Sequence, residues 1–398
     1  MRNIARTALT SAALTGFLCA TGGAQQPAAP PLAFVPVKPI DPPGRPLPTE
    51  TESASVTKFS FIAYGDTRSD YVGVGDGQIV NPRHDRLADV MLEKIEALRS
   101  TPFPVRFVVQ SGDAVLRGYL GNQWNVSFTP VIEKLTHANV PYLFVAGNHD
   151  AAGEPGEAVR SIGLHNTLAA VSKLVPPEGS PRRLNGYLTY AVGYGNVFLL
   201  AIDSNVASDP IQLAWATNQL EQLDRARYHH VIAVLHHPPF SSGPHGGAAA
   251  PSAPPPRPEG LEPQTVAIRE LYAPLFRRHH VRMVVAGHDH LYDHWVEHYA
   301  DNGTTYRMDD LVTGGGGAPL YTYSGEPPLS AYLAAGASQQ VRVDHIVKPG
   351  ATTAENPHHF VVVQVDGDSL SLEVVGIGPE AYAPYGGTAK IQLRDASR

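Results

Sequence analysis

The sequence predicts an α/β fold in which two mixed β-sheets pack together with helices outside. Three observations predict it. Strand-like apolar runs alternate with helical stretches early in the chain, hairpin signals interrupt that rhythm in the middle and again near the C-terminus, and a series of polar clusters each stands directly after an apolar run. A β-α-β-α-β rhythm implies parallel strands joined by helical crossovers. Hairpins add antiparallel neighbours, so each half of the chain supplies a mixed sheet.

The elements follow in order. Arg2 and Arg6 precede an apolar stretch from Ala8 to Ala20, and Gly22-Gly23-Ala24 offers small residues for cleavage. Residues 1–24 therefore read as a secretory signal, too short to span a bilayer, and the expected location is periplasmic or secreted. Cys19 is the only cysteine, and Leu18 before it argues against lipidation, so the mature chain is expected to have no disulfide. Residues 25–56 are dense in proline, including Pro42-Pro43, and read as a linker or a strap over a domain surface. The folded region is expected over 57–378, with a tail at 379–398.

Lys58–Tyr64 is predicted as a strand, residues 83–99 as a helix with Leu87, Val90, Met91, Ile95 and Leu98 at helical spacing, Val105–Gln110 as a strand, 125–138 as a helix and Tyr142–Ala146 as a strand. Tyr187–Val192 and Val197–Ile202 flank Gly193-Tyr194-Gly195-Asn196 as a hairpin. A helix at 211–226, a strand at Val231–Leu235, a helix at 265–279 and a strand at Val284–Ala286 follow. Residues 243–263, rich in Gly, Ala and Pro, read as a disordered insertion in preference to a lid. Asp301-Asn302-Gly303 and Asp366-Gly367-Asp368 are hairpin turns, the latter between Phe360–Val365 and Ser369–Val375.

Composition narrows the function. The 398 residues are 43% hydrophobic, enough for a large core, and the formal net charge of -7 offers no basic surface for nucleic acid. No later segment is long and apolar enough to be a membrane span.

The polar clusters carry the chemistry. They are Gly65-Asp66-Thr67-Arg68, Gly112-Asp113, Gly147-Asn148-His149-Asp150, His236-His237-Pro238-Pro239 and Gly287-His288-Asp289-His290. Ligands in open α/β sheets gather at the carboxyl ends of strands, where all of these lie. Any one has a bland explanation, since Gly-Asp is a common turn pair. Taken together they bring hard oxygen and imidazole donors to one sheet edge. That set suits two divalent or trivalent metals, and a two-metal site points to phosphate-ester hydrolysis.

The ordered set resembles the calcineurin-like metallophosphoesterase superfamily, which includes purple acid phosphatases, over about residues 57 to 318. Gly314-Gly315-Gly316-Gly317-Ala318-Pro319 resembles a Gly-rich stretch late in many members. The resemblance implies a four-layer αββα sandwich, two sheets face to face with helices outside. It also implies two metal ions (Mn, Fe or Zn). Asp66 and His290 would bind the first metal, Asp113 would bridge both, and Asn148, His236 and His288 would bind the second. His149 would act as the catalytic histidine that is not a ligand, with Asp150 orienting its ring. His237 fills the variable place of the His-x-Pro pattern. Two ions would clamp the phosphoryl group of a small phosphate ester and lower the pKa of a water that attacks phosphorus.

The chain departs from that pattern at the first cluster. Most members have Asp-x-His there, whereas this chain has Arg68, which cannot bind a cation. The Tyr that purple acid phosphatases place three residues after the bridging Asp is Leu116 here. His84, at the start of the helix after the first strand, is therefore a candidate contact to the first metal or the substrate, and Arg68 a candidate clamp on a substrate phosphate or a structural partner of a nearby carboxylate. The competing expectation is a degenerate, non-catalytic member that binds metal or phosphate ester without turnover.

Overall fold

A computed structural model describes residues 35–69, 81–151, 158–174, 182–248, 260–377 and 390–393. The expected signal at 1–24 lies outside them, as do residues 249–259 of the expected insertion. The strands are β1 (Lys58–Tyr64), β2 (Val105–Gln110), β3 (Tyr142–Phe144), β4 (Arg182–Arg183), β5 (Tyr190–Tyr194), β6 (Val197–Ala201), β7 (His230–Val234), β8 (Met283–Ala286), β9 (Tyr292–Asp301), β10 (Thr304–Thr313), β11 (Arg342–Val347), β12 (His358–Asp366), β13 (Ser369–Ile377) and β14 (Lys390–Leu393). They form a 6-stranded sheet ordered β14-β13-β12-β1-β2-β3 and an 8-stranded sheet ordered β11-β9-β10-β8-β7-β6-β5-β4. Both sheets are mixed. β1, β2 and β3 run parallel, as do β6, β7 and β8, while β12 joins β1 and β9 joins β10 antiparallel.

The period of two along each strand builds the layers. Phe59, Phe61, Ala63, Phe107 and Val109 of the first sheet meet Val197, Leu199, Ile232, Val234 and Val285 of the second in one buried cluster. The alternate residues of the first sheet, Ile62, Tyr64 and Val108, pack on Leu87, Met91 and Ile95 of the helix Pro82–Leu98 and on Phe128 and Ile132. Those of the second, Phe198, Leu200, Val231 and Ala233, pack on Ala216, Leu220, Ile268 and Phe276. The result is the four-layer order expected.

Two helical stretches contain a wider π-turn, at Trp124–Phe128 and at Ile268–Tyr272. Pro130 and Pro274 stand just past these turns. A proline there has no N–H to give and crowds the carbonyl of the preceding turn, which the wider turn relieves. The strap at 35–56 is pinned to the domain: Ile40 and Leu47 are buried, Ile40 N–H donates to Ala170 O at 2.9 Å, and Tyr228 Oη donates to Glu50 at 2.6 Å. The expected tail includes β14, which pairs with β13. β11, the helix Ala158–Val171 and the helix Ser330–Ala335 were not foreseen, because short polar-containing runs carry little periodicity.

His84 is a correction. The helix does start near the catalytic edge, capped by Asn81, whose side chain accepts Arg83 N–H at 3.1 Å. The His84 ring, however, turns into the layer between the first sheet and its helices. Its Nε2 lies 3.2 Å from Tyr64 Oη, and it stacks on Phe128 at 6.0 Å. It belongs to neither group of described side chains that could hold an ion, and its ring contacts are those of a core residue. Burial, aided by the charge of Lys134, lowers its pKa from 6.5 to about 3. The unfolded chain takes up a proton near pH 6.5 and the folded chain does not until about pH 3. Stability is therefore lost as pH falls through that window, at up to about 1.4 kcal/mol per pH unit. His84→Phe should flatten the fall in urea midpoint between pH 7 and pH 5 and leave metal content unchanged. An unaltered pH slope would refute this reading.

Candidate metal centre

The strand-end clusters converge as their positions on parallel strands require. Asp66, Asp113 and His288 all have left-handed backbones, with φ of 61°, 55° and 74°. Such conformations cost roughly 1–3 kcal/mol each in non-glycine residues, and here they cluster at one site. Gly112, with φ 108°, could carry no side chain, since a Cβ would lie 2.7 Å from His236 Nδ1 and 2.6 Å from the Gly147 nitrogen. The backbones of the β2 and β3 loops thus touch directly beneath the ligands.

One group of donors forms a closed set. His236 Nε2 lies 2.9 Å from Asn148 Oδ1 and 3.4 Å from Asp113 Oδ1. His288 Nδ1 lies 3.2 Å from Asn148 Oδ1 and 3.3 Å from His236 Nε2. The ring hydrogens are committed elsewhere. A carbonyl only accepts, so His236 Nδ1–H donates to Ser111 O at 2.9 Å, and burial lowers the His236 pKa to about 4 against the pull of Asp113. The inward Nε2 therefore offers only a lone pair. His288 turns its Nε2 to Glu262 Oε2 at 2.8 Å, leaving Nδ1 to face inward. Two oxygens and two ring nitrogens thus approach one another at 2.9–3.4 Å.

The other group is Asp66, Asp113 and His290, whose ligand atoms lie within 4.8 Å of one another. His290 Nδ1–H donates to Pro319 O at 2.6 Å, and its ring stacks on Tyr321 at 4.1 Å, so Nε2 faces Asp66 Oδ1 at 3.6 Å. The Gly-rich stretch closes over these loops, with Gly316 N–H on Gly65 O and Ala318 N–H on Asp66 O. Arg68 occupies the same ground. It is buried, with Nε 3.7 Å from Asp113 Oδ2 and Nη2 3.5 Å from His290 Nε2. Burial and the neighbouring Asp113 charge raise the Asp66 pKa well above the usual carboxylate range. Burial also acts to raise Asp113, but His236, His149 and Arg68 outweigh it and hold that carboxyl below the range.

His149 sits at the open side. Its side chain is 19% exposed, against 6% for His288, 1% for His290 and 0% for His236, so it is the ring of this set most open to solvent. Its Nδ1–H donates to Leu116 O at 2.8 Å and its Nε2 lies 3.9 Å from Asp113 Oδ2. The ring is therefore oriented by a backbone carbonyl and not by Asp150. Asp150 is fully buried and accepts backbone N–H groups from Asp113, Ala114, Val115 and Gly147 at 2.8–3.3 Å. It builds the two loops that carry Asp113 and Asn148.

The sequence reading missed Glu262, His245 and Ser204. Glu262 and His245 come from the two described ends of the low-complexity stretch, where composition hid them. His237 turns its Nδ1 to Ser204, and its ring packs on that of His288 at 4.5 Å. Ser204 Oγ accepts the N–H groups of His236 and His237, so its own hydrogen goes to His237 Nδ1 at 2.8 Å.

Two stacked mixed sheets thus carry, at their strand ends, oxygen and imidazole donors that could hold cations. The calcineurin-like phosphoesterase family model matches residues 61–292, more than half of the chain, and the chain belongs to that family. Among solved structures it is similar to the purple acid phosphatase PPD1 from yellow lupin (Lupinus luteus) seeds, at 18% identity and a TM-score of 0.55. That match covers 81% of this chain and 52% of the lupin chain, so this chain spans about half the length of that neighbour. It is also similar to PhoD, at 12% identity and a TM-score of 0.47 over 87% of this chain and 72% of that one. The lupin match, at 18% identity, shows a shared fold alone. No curated protein sequence matches the chain. No helix among the described residues is long and apolar enough to cross a membrane.

Asp150→Ala would leave buried N–H groups in both loops without an acceptor. The expected outcome is a loss of at least about 3 kcal/mol in unfolding free energy together with loss of metal binding. A variant of normal stability that merely turns over slowly would return Asp150 to the catalytic role first expected of it.

Proposed function

We propose that this chain hydrolyses small phosphate esters with cations held at the joined edge of its two sheets. The observation that carries this is the convergence of Asp113 Oδ1, Asn148 Oδ1, His236 Nε2 and His288 Nδ1 with no hydrogen available among them. Lone pairs in that arrangement repel unless a cation lies between them, and mixed oxygen and imidazole donors suit Mn, Fe or Zn. Asp66, Asp113 and His290 fit an adjoining cation, with Asp113 shared, which makes the proposed centre dinuclear. Bound ions there would polarise a phosphoryl oxygen and acidify water at neutral pH.

The remaining residues have separable tasks. His149, with Nδ1–H on Leu116 O, presents Nε2 to the open side and is placed to protonate the leaving oxygen or stabilise charge on phosphorus. Arg68 places a fixed positive charge beside Asp113 and His290, where it can pair with phosphate oxygens. The same position favours a second reading, a member that binds without turnover. There the guanidinium, 3.5 Å from His290 Nε2, takes the place of the adjoining cation.

Chromogenic phosphate mono- and diesters assayed with Mn²⁺, Zn²⁺ and Fe²⁺ separate the readings. Hydrolysis is expected, and metal binding without hydrolysis under any of them would establish the binder instead. Asp113→Asn and His236→Ala should lose metal and activity together. His149→Ala should keep its metal while turnover falls roughly 10²–10⁴-fold. Arg68→His should strengthen binding at the Asp66–His290 position, read as a higher metal-to-protein ratio at limiting metal. Normal metal occupancy in both Asp113→Asn and His236→Ala would overturn the ligand assignment.

A further inference from the structure

We propose that Glu262 is the positioning residue for the metal ligand His288, holding its proton on Nε2 so that the Nδ1 lone pair faces the centre. The inference rests on the reading of His288 as a ligand and adds a residue from outside the strand-end clusters. The rings of this centre are each fixed through the nitrogen that faces away from it. His236, His290 and His149 use backbone carbonyls of Ser111, Pro319 and Leu116. His288 instead uses a side chain, with Nε2 2.8 Å from Glu262 Oε2. A carboxylate opposite a ligating imidazole fixes its tautomer and raises its basicity more than a neutral carbonyl does.

Glu262 is itself held in place. Its Oε1 lies 2.9 Å from His245 Nδ1, and the His245 ring packs on the His288 ring at 4.1 Å. His245 N–H donates to Asp289 Oδ1 at 3.2 Å, which ties this loop to the residue after His288. Each of the two Glu262 oxygens thus meets a ring nitrogen, Oε1 that of His245 and Oε2 that of His288.

Glu262, His237 and His288 also bring nitrogen and oxygen atoms within 4.8 Å of one another, the spacing of a separate ion site. The hydrogen bonding disfavours it. Ser204 donates to His237 Nδ1, so His237 Nε2, 4.0 Å from Glu262 Oε2, carries a hydrogen and not a lone pair. With a hydrogen on His288 Nε2 as well, Glu262 faces ring N–H groups and acts as their acceptor.

Two measurements on the full chain test this. In metal-free protein, long-range proton–nitrogen NMR correlations report the His288 tautomer. The Nε2–H form is expected in the wild type and a mixture in Glu262→Ala; an Nδ1–H form in the wild type would overturn the proposal. In titrations with Zn²⁺ or Mn²⁺, Glu262→Ala should weaken one of the bound ions roughly 10–100-fold. Glu262→Gln keeps an acceptor without the charge and should fall between it and the wild type. Wild-type affinity in a normally folded Glu262→Ala, by circular dichroism and thermal melting, would refute the role. Loss of one whole equivalent of metal in Glu262→Gln, with the other ions held at wild-type affinity, would make Glu262 a ligand and also refute it. Should the wild type bind no metal, the proposed function fails, while the tautomer measurement still decides the placement of the His288 proton by Glu262.

Discussion

The centre depends on a carboxylate that faces away from it. Asp150 accepts N–H groups from Asp113, Ala114, Val115 and Gly147 and thereby fastens the loop after β2 to the loop after β3. A buried carboxylate is costly unless its lone pairs are met, and those N–H groups, lying beyond the strand ladders, need an acceptor for the same reason. Each solves the other's problem. The same clamp fixes Asp113 in its left-handed conformation and brings Gly147 against Gly112, so Asp113 and Asn148 are set by backbone and not by side-chain flexibility. Asp113 Oδ1 then accepts His149 N–H at 2.9 Å, which extends the constraint to the open side of the site.

Charge is arranged with similar economy. Asp66 and Asp113 lie side by side in a buried site, which opposes ionising both. Arg68 relieves part of that repulsion without a ligand and has a second anchor nearby, as Asn81 Nδ2 donates to the carbonyls of Thr67 and Arg68 at 2.9 and 3.0 Å. The loop after β1 is thus built to keep an arginine where a histidine would serve as ligand in the resembling pattern. The consequence is asymmetric. The His236 side depends on neutral donors and one shared carboxylate, whereas the His290 side already holds a fixed positive charge that any cation there must tolerate.

Much of this was legible in the sequence. β1, β2 and the β12–β13 hairpin announced themselves by alternation and turn residues, and the joint order of the clusters located the donors at the strand ends. What was hidden had physical causes. A histidine at a helix start can turn to the sheet edge or into the core, and only the Tyr64 hydroxyl across from His84 decides which. An Asp following a His resembles a ring-orienting carboxylate, but Asp150 folds back onto its own loop because the N–H groups there lacked any other acceptor. Glu262 lies beyond a Pro- and Ala-rich stretch whose composition reads as disorder. Its importance arises only when the chain returns to His288.

That return distinguishes His288 from the other rings. A carbonyl fixed in the backbone cannot be tuned by substitution, so the orientation of His236, His290 and His149 is a property of the fold. The orientation of His288 depends on a side chain that is 30% exposed, carried on a loop outside the two sheets. An exposed carboxylate is more strongly screened and more easily displaced than a buried one. The lone pair proposed for His288 is therefore the part of the donor set that a side chain, and not the backbone, sets in place.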